Sequence, residues 1–104
     1  MNPAQYSVYT VMLDKKVWLD KKFRDANPGI KPFAKPGAYI GATGKDINER
    51  FKDHKAGIKH NKYVKDFGKS VALIANCSTW AEANKREIEA ACNLRRQGIG
   101  VFQK

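Results

Sequence analysis

Three runs of seven or eight residues carry the side chains of β-strands: YSVYTVML at 6–13, GAYIGAT at 37–43 and SVALIAN at 70–76. Nothing else limits the fold as much, because strands this short persist only when paired into a sheet with a covered face. In the first run Val8, Thr10 and Met12 alternate with Ser7, Tyr9 and Val11. In the second, Tyr39 and Gly41 share one face while Ala38, Ile40 and Ala42 share the other. A glycine inside a strand weakens it, so Gly41 points to a close approach by backbone or ligand. The third run is apolar almost throughout, the pattern of a central strand.

Two helical patterns supply the cover. One opens at Asp46, a good N-cap, and closes at Gly57, a good residue just past a helix end. The other opens at Thr79, spaced from Glu82 as a capping box, and closes at Gly98. A shorter helical piece is expected at 61–67, NKYVKDF, and an apolar tail, IGVF, at 99–102. This order predicts one α+β domain over residues 1–104, a three-stranded antiparallel sheet flanked by helices. Between the first two strands lies a long segment, 13–37, that repeats LDKK at 13–16 and 19–22. A four-residue unit is too short for a repeat architecture. Trp18, Leu19, Phe23, Ile30 and Phe33 are expected to anchor the segment, with a short helix around 17–25.

Charge narrows the function. Twenty Lys and Arg against ten Asp and Glu leave a formal +10. So strong a positive field attracts phosphate polymers or acidic membranes, while an acidic protein is the blander partner. The absence of a long basic amphipathic helix argues against a membrane surface. No apolar run approaches the ~20 residues of a membrane span, and the N-terminus has no signal-peptide core. A cytoplasmic protein is therefore expected, with Cys77 at a strand end and Cys92 on a helix as reduced thiols. Two cysteines cannot by themselves hold a structural zinc.

Polar residues fall where packing is expected. On the first helix Ile47, Phe51 and Ile58 form one stripe, His54 lies in its middle and Arg50 borders it. On the second, Trp80, Ala83, Ala90, Ala91 and Leu94 form the apolar face, and Glu87 projects near its centre. A carboxylate on a packing face is costly unless paired, protonated or bound to a metal. A structural salt bridge from Glu87 to Arg50 or a lysine, and a satisfied core histidine, are the plain alternatives. Together with two tyrosines on the sheet, the three residues fit an active site better.

The same residues resemble the GIY-YIG nuclease family. Ser7-Val8-Tyr9 stands at the first triplet, with serine in place of glycine, and Tyr39-Ile40-Gly41 matches the second, followed by Ala42-Thr43. Arg50 and His54, within ERFKDHKAG, match the next helix motif. EANKREIEAA resembles the later helix, in which an alanine precedes a metal-binding glutamate by four, selecting Ala83 and Glu87. Two features differ from the family pattern. Thirty positions separate Tyr9 from Tyr39 where a short hairpin is usual, so 13–37 is a long insertion. Gln103 stands near the end where an asparagine is usual.

The resemblance implies a divalent-metal-dependent endonuclease acting on DNA, or a nucleic-acid-binding domain of the same fold with weak or no catalysis. It implies Mg²⁺ or Mn²⁺ on Glu87, Tyr9 as general base with a pKa lowered well below ~10, and His54 as proton relay. Arg50 would grip the phosphate and Tyr39 would orient water or phosphate. Lys15, Lys16, Lys21 and Lys22, with Lys45 and Lys55, are the candidate DNA contacts. Small domains of this kind often borrow specificity, so the chain is expected to act alone with low specificity, as a homodimer, or with a separate partner.

Overall fold

The computed structural model describes residues 6–57 and 62–103. Strand β1 (Tyr6–Leu13) lies inside a sheet of order β3-β1-β2-β4, with β2 (Gly37–Thr43), β3 (Gly68–Cys77) and β4 (Gly100–Gln103). β1 pairs antiparallel with both β2 and β3, and β4 runs parallel to β2. The expected three-stranded antiparallel sheet is thus corrected to a mixed sheet of four. The apolar tail is itself a strand, too short for a sequence pattern to separate from a loop.

The second correction concerns the run at 70–76. β3 is an edge strand, with Leu73 and Ile74 exposed. Hydrophobicity cannot order strands; here β1 and β2 hold the interior because each has partners on both sides. Their alternation feeds two cores. One face gathers Tyr9, Val11, Leu13 and Tyr39 with Val17, Trp18, Phe23, Tyr63 and Val64. The other gathers Val8, Ile40, Cys77 and Val101 with Ala83 and Ala91 of α4 (Trp80–Arg96). No helix is long and apolar enough to cross a membrane among the described residues.

The helix ends fall as their caps dictate. Asp46 accepts from Asn48 N and Glu49 N to open α2 (Ile47–Ala56), which closes at Gly57. Thr79 accepts from Glu82 N at 3.1 Å, and Glu82 in turn accepts from Ser78 N at 3.0 Å. The piece expected at 61–67 is α3 (Lys62–Phe67); its first expected residue, like Ile58 of the α2 stripe, lies outside the described residues. Trp80 is half exposed rather than buried, and packs on the Tyr6 ring at 4.6 Å. Cys77 is buried, Cys92 exposed, and both are free thiols.

The first half of the insertion is helical, and residues 26–36 follow as turns and bends. A 3₁₀ turn (Lys15–Leu19) and α1 (Lys21–Asp25) are each capped by the aspartate of one LDKK unit: Asp14 accepts from Lys16 N, Asp20 from Phe23 N. Trp18 and Phe23 are fully buried, Ile30 partly so, whereas Leu19 and Phe33 are exposed and do not anchor it. Asn27 ties the insertion to β4, its Oδ1 accepting from Val101 N (2.7 Å) and Arg95 Nε (3.0 Å). Trp18 lies so close over Gly100 that a Cβ there would overlap its indole, which is why β4 opens on a residue without one. Asp20 also accepts from Tyr63 OH and Lys62 Nζ, joining the insertion to α3.

Candidate active site

The β1–β2 register sets Tyr9 opposite Gly41 and Val11 opposite Tyr39, so the two tyrosines are diagonal neighbours on one face. Their ring centroids lie 6.3 Å apart. A Cβ on Gly41 would sit 2.7 Å from the Tyr9 phenol oxygen. The close approach expected at Gly41 is therefore made by the Tyr9 side chain, which lies across the missing Cβ. β3 skips a residue where it passes Val8 and Tyr9, leaving Ile74 as a bulge. Such bulges re-aim the strand beside them.

α2 brings its two polar residues onto this phenol. His54 is buried, with Nε2 3.2 Å from Tyr9 Oη, a hydrogen bond whose direction follows the imidazole tautomer. The imidazole also meets the Tyr39 ring edge-on at 6.1 Å. Arg50, one turn earlier and partly buried, lies close enough for its charge to act on the Tyr9 phenol, while its Nε is buried with no hydrogen-bond partner. Glu87 is buried on α4 between Ala83 and Ala91, close enough for its charge to act on both phenols. Tyr9, Tyr39, Arg50, His54 and Glu87 are thus brought together from β1, β2, α2 and α4.

The family model of the GIY-YIG catalytic domain matches residues 32–98, more than half the chain. The chain belongs to the GIY-YIG family. This is a nuclease family, and the match covers Tyr39-Ile40-Gly41, Arg50, His54 and Glu87. It begins after β1, so Tyr9 takes its place by strand pairing with Gly41. No curated protein and no solved structure matches the chain.

Electrostatics distinguish this GIY-YIG site from the expected one. Burial pushes the Tyr9 phenol above its ordinary value, and outweighs the lowering influence of Arg50 and Tyr39 beside it. The Glu87 charge pushes the same way. Tyr39 is raised further still, by burial first and then by Tyr9 and Glu87. Desolvation of a nearly inaccessible oxygen exceeds what one guanidinium returns, so a Tyr9 pKa well below ~10 would require the charge of a cation held by Glu87. Among the described residues no three His, Cys, Asp or Glu side chains converge as a metal cage. A single carboxylate suits a hard cation that completes its shell with water and phosphate oxygens, and does not suit zinc.

The candidate lysines lie apart from these five residues. Lys15, Lys16, Lys21 and Lys22 are exposed on the insertion, which starts past Leu13, about 13 Å along β1 from Tyr9. Lys21 pairs with Asp25 at 3.0 Å and Lys45 with Asp53 at 3.4 Å. Lys55 donates to the carbonyls of Lys65 and Gly68, fastening α3 to β3. Phe102, stacked on Tyr39 at 6.4 Å and 21°, is a site neighbour that sequence reasoning misses. Its signal is the apolar tail, legible only once that tail is known to pair with β2.

Proposed function

We propose that this GIY-YIG protein is a metal-dependent endonuclease that hydrolyses phosphodiester bonds in DNA. The observation that carries the reading is the buried hydrogen bond between His54 Nε2 and the Tyr9 phenol oxygen, within reach of the Arg50 charge and a buried Glu87. Glu87 would hold Mg²⁺ or Mn²⁺, which supplies charge stabilisation to the phosphate oxygens. Arg50 grips the phosphate through its guanidinium N–H groups. Because the phenol stays protonated at neutral pH, Tyr9 acts as a relay rather than as a preformed base. Its oxygen takes a proton from water as its own proton passes to His54 Nε2. Tyr39 orients water or phosphate, and Lys15, Lys16 and Lys22 follow the DNA backbone.

A DNA cleavage assay with Mg²⁺ and with Mn²⁺ tests this directly. Glu87→Ala is expected to fold and to lose metal-dependent cleavage. If Glu87 only neutralised a structural partner, its removal would instead cost ~3–5 kcal/mol of stability and spare the chemistry. One observation favours a second reading, a DNA-binding domain with weak catalysis: Tyr9, Tyr39 and His54 are each no more than 2% exposed. DNA bound tightly but uncut with either metal selects that reading.

A further inference from the structure

A continuous run of rings leads from the insertion to the candidate site. Trp18 meets Phe23 at 4.9 Å, Phe23 meets Tyr63 at 5.7 Å, and Tyr63 meets Phe102 at 4.7 Å. Phe102 then stacks on Tyr39, whose other neighbours include Tyr9 and His54. We propose that Phe102 is a positioning residue that sets the Tyr39 ring against Tyr9 and His54, and that the insertion holds Phe102 in place. The role in catalysis rests on the endonuclease reading; the positioning does not.

Four observations carry it. β4 places Phe102 beside Tyr39 in parallel register, so the stack follows from the backbone and not from a chance rotamer. β4 has one strand partner, and its other fastenings come from Asn27 of the insertion and from Arg95, which donates to Val101 O at 3.1 Å. Tyr63, the ring on the far side of Phe102, is itself fixed by donating to Asp20 of the insertion at 3.1 Å. Gly41 of the same strand carries no side chain, and the Tyr9 phenol fills that space beside the Tyr39 ring. A ring held by neighbours, rather than by its own backbone alone, is where a misplacement of about 1 Å costs up to ~10²-fold in rate.

The test compares Phe102→Leu with Phe102→Tyr, the latter keeping the stack. Single-turnover cleavage and DNA affinity are measured beside NMR of the His54 ring, which meets the Tyr39 ring edge-on. Phe102→Leu is expected to lose ~10–100-fold in rate with DNA affinity unchanged. It should also shift the His54 signals and weaken the Tyr39–His54 cross-peak, with Phe102→Tyr restoring all three. A folded Phe102→Leu that cleaves at the wild-type rate with unmoved His54 signals overturns the proposal, as does a Phe102→Tyr no better than Leu. If Phe102→Leu does not fold, Phe102→Met gives the same comparison. Should the wild-type protein cut no DNA, the endonuclease reading fails. The His54 signals then decide positioning alone, and their constancy would overturn it.

Discussion

Tyr9 is the residue on which the chemistry can be divided most finely. Tyr9→Phe removes one oxygen and keeps the ring over Gly41, so packing should survive. Loss of a proton-transfer group typically costs ~10²–10⁴-fold, and that is the fall expected in single-turnover cleavage, with DNA affinity little changed. The pH profile separates relay from preformed tyrosinate. With Tyr9 raised by burial, a tyrosinate base would make the rate climb past pH ~10 without levelling. The relay through His54 predicts a plateau below that. At this scale the sequence is informative about identity and silent about environment. Arg50, His54 and Glu87 are visible in it because charged or polar side chains stand on apolar stripes. That burial outweighs Arg50 at Tyr9 is not visible, because burial depends on every neighbour at once.

Among the elements, the insertion shows what helical and strand periods cannot report. Its Pro and Gly residues mark the turns at 26–36, while before them two aspartates each start a helical turn and two aromatic residues enter the core. The anchors are half legible: size and hydrophobicity select Trp18 and Phe23 but equally select Leu19 and Phe33, which face solvent. Asn27 leaves no signal, since an asparagine before Pro28 reads as a turn. Its removal should be felt. Asn27→Ala leaves Val101 N and Arg95 Nε without their acceptor inside the protein. A loss of ~1–3 kcal/mol is expected, measured by urea denaturation. An unchanged midpoint would mean that β4 is held by its pairing with β2 alone. The strand order is likewise hidden, because β3 carries an apolar run and still lies at the edge.

For the molecule as a whole, charge and pH set the remaining expectations. The formal +10 is distributed over exposed lysines, and Lys15, Lys16 and Lys22 make no ion pair within 4.0 Å among the described residues. Neutralising these three should weaken DNA binding and reduce its salt slope by ~1 for each phosphate they no longer neutralise. An unaltered slope would place the insertion away from DNA. Stability should fall at both pH extremes through one hydrogen-bonded pair, Asp20 and Tyr63. Burial works against the Asp20 carboxylate, but hydrogen bonds from Phe23, Lys62 and Tyr63 outweigh it and hold its pKa low. That contribution is present above pH ~4 and is lost as pH falls through the lowered value. Burial and Asp20 push Tyr63 up to about 12. The fold keeps that proton where the unfolded chain releases it, so stability declines from about pH 10 to 12. Thermal melts across pH 2–12, repeated on Tyr63→Phe, should show the alkaline decline flattened in the variant.

The parallel pairing of β2 with β4 has a kinetic consequence. No strand here meets its partner through a tight turn: Leu13 pairs with Gly37, Tyr6 with Cys77, and Gly37 with Gly100. Every rung of the sheet therefore closes a long stretch of chain before any pairing rewards it, and such topologies fold in milliseconds to seconds rather than microseconds. The insertion adds little to that delay, because closure entropy grows only with the logarithm of length. What it adds is two capped turns and two aromatic rings, with Trp18 packed over Gly100 where β4 begins.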